Sequence, residues 1–240
     1  VVGVPLVAAA VCPQPPVIVP EIAGGAAAEL DELRAACDAA IGRLLAAEPD
    51  AVIVLGGSDR TRRLAPGYRG TFRPWGSPVG FELSGGAGEP VTTPSLLVGG
   101  WLLARHDLAG RTVMFDEIDA TATAAECASL GAALAGRRPR VALLAIGDGS
   151  ACRGEKSPGY DDPRAQPYDE GVAAALGGAD TDALLDLDPV LSGRLMVAGR
   201  APWQALAGAA RAAGRGWRGD LSYYAAPYGV AYFVATWTPA

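Results

Sequence analysis

The 240 residues contain a single histidine, His106. A site that needs two or more imidazoles from one chain is thereby excluded. Cysteine is sparse as well. Cys12, Cys37, Cys127 and Cys152 form no C-x-x-C pair, which removes zinc ribbons and thioredoxin-type redox motifs. Cationic residues are outnumbered, 20 Lys and Arg against 26 Asp and Glu, and an acidic chain does not suit nucleic acid. Walker and G-x-G-x-x-G patterns are missing, so a nucleotide site is not expected. No apolar run reaches the length of a membrane span. The apolar opening, Val1 to Val11, lacks a basic flank, and Val11 is a poor residue before a cleavage site. A cytoplasmic protein without a membrane partner is therefore expected. No Ser/Gly linker or charge run divides the chain, which reads as one domain over residues 1–240.

What the chain does have is a set of short apolar runs, each ending in glycine, proline or polar residues. Val2 to Val11, Ala51 to Leu55, Arg111 to Phe115 and Val141 to Ile146 read as strands. Between them lie helical patterns. In Ala26 to Ala47, Leu30, Leu33, Cys37, Ile41 and Leu44 recur at spacings of three and four. Ser95 to Arg105, Thr121 to Leu134 and Tyr168 to Leu176 are further helices, and Thr181 to Ala213 makes two more. Trp217 to Tyr224 and Val230 to Trp237 are rich in β-formers and read as an antiparallel pair. The fold class is α/β: a central mixed, mostly parallel sheet, flanked by helices, with that pair at its C-terminal end.

In such sheets, ligands sit beyond the carboxyl ends of the strands. Three strand ends carry suitable residues. After the first comes Cys12-Pro13-Gln14-Pro15-Pro16, whose prolines stiffen the loop and direct Gln14. After the second come Gly57, Ser58 and Asp59. The run Val141 to Ile146 leads into Gly147-Asp148-Gly149-Ser150 and a long loop. The plain alternatives are an ordinary turn at Asp148 and a solvated amide at Gln14. Arg60, Arg62 and Arg63 read better as a solvated loop than as an anion site. Asp116, Glu117 and Asp119 offer carboxylates for a hard cation or for acid–base work, with capping of the next helix as the better reading. His106 reads as a helix C-terminal residue favoured by the dipole rather than as a base. Cys12 and Cys152 both follow strand runs. They approach each other if those strands are neighbours, although two unrelated thiols is the plainer reading. The stretch 64–94, with Tyr68, Phe72, Trp75 and Phe81, reads as a lid or a subunit contact, the place to look for a homo-oligomer interface.

Three groups of residues together carry a resemblance. They are Cys12-Pro13-Gln14-Pro15-Pro16 with Val19-Pro20-Glu21; Gly147-Asp148-Gly149-Ser150 with Asp162-Pro163-Arg164-Ala165 and Tyr168-Asp169; and Pro227-Tyr228-Gly229-Val230-Ala231-Tyr232-Phe233. In this order and spacing the chain resembles the B-subunit domain of class III extradiol ring-cleavage dioxygenases, in a divergent actinobacterial branch. The resemblance implies non-haem Fe(II) held by two histidines and a carboxylate, with a further histidine as acid–base catalyst. The first histidine falls at Gln14 and the second near Gly57, Ser58 and Asp59. The catalytic one falls at Ser150, Ala151 or Cys152, and the carboxylate has no match near Tyr224 to Tyr228. The expectation is thus a dioxygenase-like protein without ring cleavage, without a metal and without a cofactor. It would keep a pocket for a small molecule or partner protein, lined by Gln14, Ser58, Asp59, Asp116, Asp148, Ser150 and Tyr228. A second expectation is an enzyme with Cys12 or Cys152 as nucleophile and Asp59, Asp148 or Tyr160 as acid or base, Ser150 being a further candidate. The third is a ring-cleaving Fe(II) enzyme after all.

Overall fold

A computed structural model describes residues 6–240. In chain order the elements are β1 (Leu6–Cys12), α1 (Pro20–Ala23), α2 (Asp31–Ala46), β2 (Ala51–Ser58), β3 (Arg62–Arg63), β4 (Arg69–Thr71), β5 (Gly80–Glu82), β6 (Pro90–Val91) and α3 (Pro94–Ala104). They continue with β7 (Thr112–Asp119), α4 (Ala124–Ala135), β8 (Val141–Ile146), α5 (Ala165–Gly178), α6 (Thr181–Leu185), α7 (Pro189–Arg194), α8 (Arg200–Ala212), β9 (Trp217–Ala225) and β10 (Tyr232–Pro239).

Seven strands form one sheet in the order β3-β7-β2-β8-β1-β10-β9. The inner four, β7, β2, β8 and β1, run parallel, with Leu55 opposite Ala145 and Cys12 opposite Ile146. β10 pairs antiparallel with β1, and β9 with β10. The mixed sheet and its closing antiparallel pair are as the sequence implies. β1, β2 and β8 read as continuous apolar runs because both faces are covered. Ala10, Cys12, Val54, Leu144 and Ile146 face α2 and α3. Val11, Ile53, Leu55, Leu143 and Ala145 face α4, α5 and α8.

Several boundaries differ from expectation. Of the strand expected at Val2 to Val11, residues 2–5 lie outside the described residues, and the strand runs on to Cys12. The helix expected from Ala26 starts as an α-helix only at Asp31; Gly24–Leu30 is a 3-10 stretch. Buried Arg34 reaches back and donates to the carbonyls of Ile18 and Ala27, which holds that stretch apart from the regular ladder. Asp116, Glu117 and Asp119 belong to β7 and not to the turn after it. Thr123, with Glu126 in a capping box, starts α4 instead. Three helices rather than two fill Thr181 to Ala213, because Asp180 and Asp188 each cap a new start.

The stretch 64–94 folds onto α3 as a small three-stranded sheet, β5-β4-β6. Tyr68 stacks on Phe115 at 4.2 Å, and its hydroxyl accepts the N–H of Phe115. Phe81 packs where a side chain on Gly100 would stand. Tyr68, Phe72 and Phe81 are therefore core, and only Trp75 of the four aromatics is exposed. No described helix is long and apolar enough to cross a membrane.

Candidate functional site

The carboxyl ends of β1, β2, β7 and β8 lie at one edge of the sheet, because the four are parallel. The antiparallel β10 begins at that same edge. At its centre, Gly147-Asp148-Gly149-Ser150 is fixed from three sides. The N–H of Gly147 donates to Cys12 O, that of Gly149 to Ala231 O, and that of Gly199 to Asp148 O. A side chain at Gly147 would stand 2.4 Å from the Cα of Gly199, and one at Gly149 would stand 2.6 Å from Phe233. The two glycines thus let three chain segments meet at the strand end.

Asp148 turns toward β1. The N–H of Gln14 donates to its Oδ1 at 2.7 Å. Burial pushes the Asp148 carboxyl up to about 7, against the lowering effect of that one hydrogen bond. Tyr232 is its neighbour across the edge; burial first, then the charge of Asp148, raises the phenol. The side-chain Oε1 of Gln14 is buried with no hydrogen-bond partner among the described residues. Tyr228, about one third exposed, donates to Glu29 at 2.9 Å at the rim. Gln14, Asp148 and Tyr232 thus cluster at the strand ends, with one weakly acidic carboxyl and one free acceptor, and Tyr228 stands beside them. Sequence reasoning misses Tyr232, because an aromatic in a strand reads as core.

Ser150 points the other way. Its hydroxyl donates to Asp169 Oδ2 at 2.5 Å and its N–H to Oδ1 at 2.9 Å. Arg153 donates to Asp169 at 3.2 Å and to the Tyr224 hydroxyl at 3.0 Å. Ser150 and Asp169 are fully buried, so this network locks α5 to the strand end and offers no nucleophile. Asp169 shares the inward face of α5 with Val172 and Leu176, a spacing that marks a buried carboxylate in the sequence.

The remaining candidates do not join this cluster. Ser58 donates to Asp59, and Asp59 is exposed and paired with Arg60, which holds its carboxyl below the usual range. The Ala198–Gly199 backbone covers the ends of β2 and β8 and separates Asp59 from Asp148; a side chain at Gly57 would meet Ala198 O at 3.1 Å. Asp116 is buried against Arg137 at 2.5 Å on one face of β7, while Glu117 takes Arg62 on the other. Tyr160 is 76% exposed and has no acid–base partner. Cys12 and Cys152 sit in different clusters and do not approach. Cys12 instead neighbours Cys37, whose thiol is raised well above the usual range by burial and then by Cys12. Cys152 is buried with its Sγ 3.5 Å from Leu195 O and 3.6 Å from Gly159 O, and burial raises its pKa. The surroundings of Cys152 do not activate a thiolate, and Cys12 is fully buried. His106 stands 3.3 Å from Asp38 at the end of α3 that leads into β7, the opposite edge of the sheet.

Among the described residues no three His, Cys, Asp or Glu side chains come together as metal ligands. The residues at the strand ends do not fit Fe(II): one amide, one carboxyl engaged by a backbone N–H, and hydroxyls turned away.

No protein-family model matches the chain. No curated protein matches it. Among solved structures it is similar to an uncharacterized protein, JW3007, from Escherichia coli K12. The TM-score is 0.55 at 14% identity, over 97% of this chain and 99% of that one. At that identity the likeness concerns the fold: a single α/β domain of this architecture.

Proposed function

We propose that the chain is an extradiol-dioxygenase-like protein that does not cleave rings and that binds a small polar molecule at the ends of β1, β8 and β10. The observation that carries this reading is the pairing of Asp148 and Gln14. Where the resemblance expects a first iron ligand, an amide presents a buried oxygen without a partner. Beside it stands a carboxyl balanced between its two protonation states near neutral pH. An unpartnered buried acceptor costs about 1–3 kcal/mol, which a ligand N–H or O–H would recover. A carboxyl of this kind donates or accepts as the ligand requires. Imidazoles are what Fe(II) lacks here, and neither neighbour supplies a comparable donor.

The test is metal analysis of the purified chain, followed by catechol turnover with added Fe(II) under anaerobic loading. The expected result is iron well below one per chain and no ring opening. One iron per chain, lost on Asp148→Ala, would overturn the reading.

A further inference from the structure

A cleft lies on the far side of the Ala198–Gly199 segment from Gln14 and Asp148. Its volume is 360 Å³. One wall comes from α7 and the turn after it, with Pro189, Val190, Met196 and Val197; Thr121 faces them from the loop between β7 and α4. Val190 is 61% and Met196 52% exposed. Met196 also holds a left-handed backbone, φ 56°, which a side chain rarely adopts. Open apolar side chains around a concave site, with few polar groups, are what small-molecule pockets are made of.

The polar end of this cleft is Arg200, in the first turn of α8. It is only 2% exposed. Its Nη1 donates to Gln204 Oε1 at 2.7 Å and its Nη2 to Ala120 O at 2.6 Å, both neutral acceptors. Other inward arginines have a carboxylate: Arg34 has Asp31, Arg137 has Asp116, and Arg153 has Asp169. Among the described residues Arg200 has none within ion-pair distance. Asp119, beside Ala120, spends its Oδ1 on the N–H and hydroxyl of Thr121.

A guanidinium taken out of water without a carboxylate at ion-pair distance is costly, and Arg200 keeps N–H groups beyond those that face Gln204, Ala120 and the Cys127 thiol. A planar carboxylate matches that fork, and the start of α8 adds potential of the same sign. We propose that this cleft binds a small carboxylate with an apolar body, its anion on Arg200 and its apolar part against Val190, Met196 and Val197. A phosphate ester fits less well, since one cation among apolar walls leaves its second charge unmatched.

Benzoate is the probe. Titrated into the isotope-labelled full chain, it is expected to give saturable shifts at Val190, Met196 and Arg200. Benzamide, its neutral isostere, is expected to bind at least tenfold more weakly. Val190→Asp places a negative charge at an exposed point of the wall, where the fold tolerates it, and is expected to abolish the benzoate shifts. Arg200→Met is expected to do the same; where that variant fails to fold, Val190→Asp decides. Absent shifts with benzoate, equal affinity for benzamide, or undiminished benzoate binding by Val190→Asp would each overturn the proposal.

Discussion

At Asp148 two effects oppose each other: burial raises the carboxyl pKa and the Gln14 N–H lowers it, and burial wins by moving it from 3.8 to about 7. Between those values the folded chain holds a proton that the unfolded chain has released. This contribution to stability is therefore complete below the unfolded pKa, declines as pH rises toward the folded one, and is flat above it. The span corresponds to at most about 4 kcal/mol, less in practice because water still reaches part of the side chain. Asp148→Asn keeps an acceptor for Gln14 and removes the titration. Relative to the parent, the variant is expected to gain stability between about pH 4 and about pH 8, by about 1–3 kcal/mol. Urea denaturation at both pH values measures it, and a difference independent of pH would mean that the carboxyl is not raised.

Helices α4 and α8 meet backbone to backbone. A Cβ on Gly131 would lie 1.8 Å from Ala205 O, and one on Gly208 would lie 2.4 Å from the Cα of Ala128. Neither contact ends in a flexible side chain that moves aside, so a methyl group forces the helices apart. Alanine improves helix propensity by about 1 kcal/mol, but separating a packed helix pair costs more. Gly208→Ala is expected to lose about 2 kcal/mol net in denaturant unfolding; a gain would show that the pair is not in contact. This crossing was hidden in the sequence for a physical reason. Every residue from Arg200 to Ala210 is buried, so the polar stripe of Arg200 and Gln204 does not mark a solvent face, and nothing in the sequence tells which small residue meets α4.

Across the whole molecule, the sheet was legible because β1, β2 and β8 are continuous apolar runs, and burial on both faces demands such runs. Gln14 and Asp148 were legible for a related reason: strands paired side by side deliver their exits to one edge. What was not legible came from far along the chain. Ala198–Gly199 covers β2 and β8 and leaves Asp59 in solvent, Asp169 turns Ser150 inward, and Arg200 is buried although arginine is a mostly exposed residue type. The same long-range packing decides what one substitution can achieve at this edge. Gln14→His restores an imidazole at the position where the resemblance expects one. Its would-be companions stay apart, because Asp59 is tied to Arg60 beyond the covering segment and position 150 faces α5. One imidazole and one carboxyl make a weak Fe(II) site with too few donors. Anaerobic Fe(II) titration of Gln14→His is therefore expected to give no stoichiometric binding. One tightly held iron per chain would mean that the Ala198–Gly199 segment yields and that the strand ends converge.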